Sequence, residues 1–233
     1  MRDLHGSTPI TSVIIPAFNE EASIGLVLDN LPQERLKEII VVNNGSTDKT
    51  ACVAKKHGAR VVDETLRGYG AACLKGISKL DDPEIVVFID GDFSDFPEEI
   101  ESLVKPIVEN RADFVLGSRM IFPESRAALL PQARYGNLLA VFLMRLFFRY
   151  QFTDLGPFRA IRYQSLKEIS MTDKNFGWTV EMQIKVVKHG LRIMEIPVHY
   201  RKRIGVSKIT GTISGTFKAG TKIIFTIFKY LLT

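Results

Sequence analysis

Short runs of apolar, mostly β-branched residues recur through the first half of the chain, at 11–15, 38–43, 60–62, 84–90 and 113–117. None alternates regularly with polar residues, which is the pattern of strands covered on both faces. Between them, apolar residues return at helical spacing over about 20–31, 48–57, 69–80 and 97–109. The first run is expected to stop at Pro16, Asp48 to cap the second helix, Pro97 to open the fourth and Pro106 to bend or shorten it. Strands alternating with helices predict an α/β fold with a mostly parallel sheet flanked by helices. In such sheets ligands bind beyond the carboxyl ends of the strands. The residues that follow each run therefore carry the chemistry.

Those residues are polar. After the five runs come Pro16-Ala-Phe18-Asn19-Glu20, Asn43-Asn44-Gly-Ser-Thr-Asp48, Arg67-Gly68-Tyr-Gly70, Asp90-Gly91-Asp92-Phe-Ser-Asp95 and Gly117-Ser-Arg119. Asn19 and Asp48 also fit plain helix caps, and the glycines fit a tight turn. Asp90 and Asp92 are harder to read as scaffold. Two carboxylates one residue apart at the end of a buried strand repel each other unless a cation sits between them. Mg²⁺ or Mn²⁺, shared with substrate phosphates, fits that pair. No glycine-rich phosphate loop follows the first run, so neither a dinucleotide-binding dehydrogenase nor a P-loop enzyme is indicated.

Charge adds an asymmetry. Residues 1–120 hold 13 Lys and Arg against 20 Asp and Glu, a net of −7; residues 121–233 hold 18 against 6, a net of +12. A basic half suits phosphorylated ligands, anionic lipid or nucleic acid. No base-reading motif accompanies the basic residues, so a nucleic-acid partner is not expected. The two cysteines, Cys52 and Cys73, form no metal-binding or disulfide pattern and are expected in the core of a cytoplasmic protein. The N-terminal dozen residues do not read as a signal peptide.

Together the five motifs, in this order, resemble family 2 inverting glycosyltransferases with the GT-A (Rossmann-like) fold. They look most like the branch of dolichyl- or polyprenyl-phosphate mannose and glucose synthases. The resemblance covers about residues 11–210: a nucleotide-sugar half over 11–120 and an acceptor half over 121–210. It extends to Thr153-Asp154-Leu-Gly-Pro-Phe158-Arg, Trp178-Thr-Val-Glu181 and Arg201-Lys-Arg203-Ile-Gly-Val-Ser207-Lys208. It implies a metal-dependent hexosyl transfer from a UDP- or GDP-sugar to a polyprenyl phosphate. Pro16, Phe18, Asn19, Glu20, Asn43, Arg67, Gly68, Asp90, Gly91 and Asp92 would surround the donor. The family usually has Asp-Asp where this chain has Asn43-Asn44. An amide donates as well as accepts, so base recognition is expected to differ.

A phosphate acceptor is mostly dianionic at neutral pH and needs cations rather than a base. Arg119, Arg134, Arg201, Arg203, Ser207 and Lys208 are the candidates to hold it. A hydroxyl acceptor, in a soluble enzyme, would need a general base: Asp154 first, Glu181 second. A protein that binds sugar nucleotides without turnover is a third reading. Residues 138–148 are apolar apart from Arg145 and too short to span a bilayer. The tail at 211–233 reads as an amphipathic helix, with Lys218, Lys222 and Lys229 on one side and Ile213, Phe217, Ile224, Ile227, Phe228 and Leu231 on the other. Both segments lead to the expectation of peripheral attachment to a membrane surface.

Overall fold

The computed structural model describes residues 10–205 and the helix at 213–232, the latter without the side chains of 213–217 and 219. One seven-stranded sheet runs through the chain: β1 (Thr11–Ala17), β2 (Glu38–Asn43), β3 (Arg60–Asp63), β4 (Ile85–Phe88), β5 (Phe114–Ser118), β6 (Arg159–Arg162) and β7 (Ile193–Pro197). Their order is β3-β2-β1-β4-β6-β5-β7. All pairings are parallel except those of β6, which runs antiparallel between β4 and β5. This is the expected α/β architecture with a mostly parallel sheet, and a helix follows at the C-terminal end.

The helices cover both faces. They are α1 (Ile24–Asp29), α2 (Thr50–Lys56), α3 (Tyr69–Ile77), α4 (Ile100–Val108), α5 (Pro123–Ala128), α6 (Pro131–Phe148), α7 (Tyr163–Ile169), α8 (Trp178–Lys188) and α9 (Ile213–Leu232). Alternate residues of each strand enter opposite cores. Ile14, Val42 and Phe88 pack with residues of α3, α6, α8 and α9, whereas Val13, Val41 and Val87 pack with α1 and α4.

Two local expectations change, at Pro16 and Cys52, while Pro106 and Asp48 act much as expected. β1 continues through Pro16 to Ala17. Pairing with β4 ends at Ile14, and Pro16 points the same way as Ile14, so its missing N–H removes no ladder bond. Pro106 sits in the last turn of α4, which ends two residues later. Cys73 is buried, but Cys52 is exposed because α2 turns Thr50 and Ala54 inward instead. Asp48 stands two residues ahead of α2 and accepts the Thr50 amide at 2.9 Å.

Candidate active site

The carboxyl ends of β1, β2 and β4 open on a cleft of about 280 Å³. Pro16, Phe18, Glu20, Arg67, Gly68, Asp90, Gly91 and Asp92, all expected around the donor, line it, and so does Arg203. Phe18 lies beneath Arg67, whose guanidinium carbon is 3.5 Å from the ring centroid. Asn19 and Asn43 are not among the residues that line the cleft. Asn19 Oδ1 accepts the Thr47 amide at 2.8 Å, which ties the loop after β1 to the loop after β2. Asn43 Nδ2 donates to Asp63 Oδ1 at 2.7 Å, across the β2–β3 register.

Asn44, beside it, shows why an amide occupies this stretch. Its Nδ2 donates to the carbonyls of Glu64 (3.1 Å) and Leu66 (2.7 Å), and its Oδ1 accepts from Gly68 N (2.9 Å). A carboxylate could satisfy only the last of these. The clip fixes the loop that carries Arg67 and Gly68 into the cleft.

Asp90 and Asp92 lie just past β4. Asp90 is half-buried, and its buried Oδ1 has no hydrogen-bond partner. Burial, and then the charge of Asp92, push its carboxyl up to about 7, against a hydrogen bond from Tyr69. Asp92 accepts the Ser94 amide at 2.9 Å through Oδ1 and turns Oδ2 to Arg203 Nη1 at 3.1 Å. The other arm of Arg203 meets Glu20 Oε1 at 2.7 Å. An orphaned buried oxygen beside a second carboxylate is a donor set that fits a hard divalent cation. Among the described residues no group of three or more His, Cys, Asp or Glu could form a complete metal cage. Such a cation would therefore take its remaining ligands from substrate oxygens and water. Asp95, three residues on, is also buried, with neither carboxylate oxygen hydrogen-bonded; burial, then Asp90, pushes its carboxyl upward.

The acceptor-side residues divide. Arg119, directly after β5, makes a bidentate pair with Asp154: Nε to Oδ2 at 2.8 Å and Nη2 to Oδ1 at 2.9 Å. Its own amide adds a third bond, at 2.9 Å. Burial opposes a charge on Asp154, but the guanidinium and backbone amides outweigh it and hold the carboxyl below its usual range. A fully buried carboxylate with both oxygens bound is not placed to take a proton, so Asp154 positions Arg119. Glu181 is buried away from the cleft. It accepts from Thr172, Asp173 N, Lys185 and Tyr230, and it anchors the 172–173 loop and α9. Arg201 does not line the cleft: it packs over the rings of Phe93 and Phe96, at 3.7 and 3.8 Å. Arg134 is exposed on α6. Ser207 and Lys208 lie outside the described residues.

The motifs did not point to Tyr69, Ala72 or Phe176 as lining residues. Phe176 arrives from the 173–176 loop, which lies directly on the start of α3: Ala71 N donates to Lys174 O at 2.9 Å. Only glycine allows that approach. A Cβ on Gly68 or Gly70 would stand 2.1 or 2.0 Å from a carbonyl oxygen of this loop, and Gly68 has φ +152°. Arg159 was missed too. It is wholly buried and donates to the carbonyls of Gly156 (3.1 Å) and Thr179 (3.0 Å), which fixes the loop behind Asp154.

Comparison with known proteins agrees with this geometry. The family described as Glycosyl transferase family 2 matches residues 12–170. An uncharacterized protein of Methanocaldococcus jannaschii is 36% identical over 210 residues, covering 85% of this chain and 86% of its own. A dolichyl-phosphate hexose transferase of Haloferax volcanii is 32% identical over 205 residues, covering 85% and 86%. The crystal structure of glucosyl-3-phosphoglycerate synthase from Mycobacterium tuberculosis, in complex with Mn²⁺, UDP-glucose and phosphoglyceric acid, shares the fold. Its TM-score is 0.76 at 23% identity, covering 96% of this chain and 80% of that one. A cleft built from the ends of β1, β2 and β4, with a paired aspartate at its floor, thus belongs to an enzyme, and the chain is a member of glycosyl transferase family 2.

Proposed function

We propose that this enzyme transfers a hexose from a UDP- or GDP-sugar to a polyprenyl or dolichyl phosphate, with inversion at the anomeric carbon. The observation that carries the acceptor class is the state of Asp154. The acceptor side offers Arg119, while the carboxylate beside it, Asp154, is buried and bound to that arginine through both oxygens. A hydroxyl acceptor needs a base to take its proton. A phosphate monoester arrives already ionised. The relative named a dolichyl-phosphate hexose transferase supports the same reading.

In the donor complex, Phe18 and Arg67 border the nucleoside, and Asn43 with Asp63 stands at the rim where a base edge or ribose hydroxyl can be read. Glu20, Asp92 and Arg203 meet where the diphosphate would lie. Asp90 and Asp92 would hold a divalent cation, which would neutralise the charge that builds on the departing diphosphate. Arg203 adds a second positive group on the same side. An acceptor phosphate oxygen attacks the anomeric carbon as the bond to the diphosphate breaks, and the electron pair leaves with the nucleoside diphosphate. No proton needs to move. Arg119, held rigid by Asp154, is the group to orient the acceptor phosphate.

The test is a panel of UDP- and GDP-hexoses with Mn²⁺ or Mg²⁺ and a short polyprenyl phosphate in detergent. The expected product is a glycosyl phosphate labile to mild acid. An acid-stable glycoside made from a hydroxyl acceptor would replace this reading with that of a soluble transferase. Asn43→Asp is expected to change KM for the donor more than kcat, measured across the same panel.

A further inference from the structure

Among the described residues fifteen large apolar side chains are exposed, and nine of them lie on α6 and α9. The two helices pack on each other: Phe147 and Phe228 have ring centroids 5.4 Å apart. A surface helix of a globular domain ordinarily turns its polar side outward. In α6 the outward side carries Tyr135, Leu138, Leu139, Phe142 and Leu146, with Phe142 60% exposed. On α9, Phe225 is 60% exposed beside Phe228 and Leu232.

The polar residues that border this face share one sign. Neither helix contains Asp or Glu, and the chain has no acidic residue between Glu124 and Asp154 or after Glu195. Arg134, Arg145 and Arg149 are exposed. At about 100° per residue they fall in the same sector of about 140° as the apolar stripe. Lys218 is exposed on α9. Large rings and leucines edged by cations, with no acids between them, suit the headgroup region of an anionic bilayer. Among the described residues no helix is long and apolar enough to cross one.

The inner side of α6 leads to the Arg119–Asp154 pair. Asn137, between Tyr135 and Leu138, donates to Thr153 O at 3.1 Å and accepts from Leu155 N at 2.8 Å. These two bonds bracket Asp154, and Asp154 holds Arg119. We propose that the outward α6–α9 face is a docking surface for anionic lipid, which seats the enzyme in the headgroup layer and braces the Arg119–Asp154 pair against it. The purpose of this surface rests on the lipid-phosphate reading above; its existence does not.

The test uses vesicles of phosphatidylglycerol and phosphatidylcholine that contain no polyprenyl phosphate. The full chain should co-sediment with them at low salt, and less so at high salt. The double variant Leu139→Glu, Phe142→Glu should bind at least tenfold more weakly while keeping its affinity for UDP with Mn²⁺, which reports an intact fold. Arg145→Glu with Arg149→Glu should abolish the preference for phosphatidylglycerol. Absence of wild-type binding, or binding indifferent to both pairs of substitutions, overturns the proposal. So does a wild-type dimer that ignores vesicles and becomes monomeric in the Leu139→Glu, Phe142→Glu variant, since a second copy then covers the face. Vesicle binding without any glycosyl lipid phosphate product would leave the docking surface standing and remove the acceptor reading. Turnover on lipid phosphate in detergent without vesicle binding would do the reverse.

Discussion

At the scale of single residues, two neighbouring amides divide the labour at the end of β2. Asn44 is scaffold: replacing it with Asp would leave two carbonyls of the Arg67 loop without a donor. Each unpaired buried group costs about 1–3 kcal/mol. Asn44→Asp should therefore lower the midpoint of denaturant unfolding and weaken UDP binding together, whereas Asn43→Asp, which sets a second carboxylate against Asp63 at an exposed position, should cost less than about 1 kcal/mol. Asp92 is of the other kind. Its Oδ2 faces the cleft and pairs with Arg203, and the fold makes little use of it beyond the Ser94 turn. Asp92→Asn is expected to lower kcat by roughly 100- to 1,000-fold, the scale of removing one preorganised electrostatic group. The melting temperature without ligand should stay close to that of the wild type, and Mn²⁺ should no longer strengthen UDP binding in titration calorimetry. A variant with wild-type turnover in the presence of EDTA would contradict the role given to the aspartate pair.

At the scale of elements, the start of α3 and the 173–176 loop behave as one wall. Gly70→Ala would drive a methyl into the Asp173 carbonyl, 2.0 Å from the ideal Cβ position. Overpacking of this kind costs about 1–3 kcal/mol. The expected signature is weaker donor binding with Phe176 displaced, seen as loss of UDP affinity larger than the loss of stability. A second junction responds to pH. Asp113, ahead of β5, is gripped by Arg192 at 2.7 and 2.9 Å and lies 3.4 Å from Arg162 of β6. Arg192, more than any other group, holds its carboxyl down to about 2. A carboxyl lowered in the folded state stabilises above its unfolded value, near 4, and that contribution is lost as pH falls from about 4 toward 2. Asp113→Asn should thus lower stability at pH 6 and flatten the acid limb of the stability profile between those values.

Elements also show where the sequence was readable. β1, β2 and β4 carry runs of Val and Ile, β5 carries Phe-Val-Leu, and all four announce themselves. β6 is four residues with an arginine at each end, and only the burial of Arg159 against carbonyls makes it a central strand. The paired aspartates could be found because their chemistry is local. The Arg119–Asp154 pair spans 35 positions, and its consequence, a carboxylate unable to serve as a base, follows from burial that spacing does not encode.

For the whole molecule, the acidic first half and basic second half meet across the cleft. Glu20 and Asp92 come from one, and Arg203 comes from the other. Donor binding should consolidate that junction. UDP with Mn²⁺ at 100 times its Kd should add about 2.7 kcal/mol to unfolding stability, and Arg203→Ala should reduce the gain at the same ligand concentration. A longer connection runs from α9 to the same cleft. The Tyr230 hydroxyl reaches Glu181 at 2.6 Å, Glu181 accepts the Asp173 amide at 2.6 Å, and Lys222 pairs with Asp173 at 2.8 Å. Asp173 begins the loop that brings Phe176 to the donor. Synthesis on the ribosome delivers these parts one after the other: the sheet and the aspartate pair emerge first, and α9, the brace for their far wall, emerges after them. Nascent chains halted at residue 212 should already show the sheet by circular dichroism yet capture UDP poorly. Competence to bind donor would then switch on only when α9 leaves the exit tunnel.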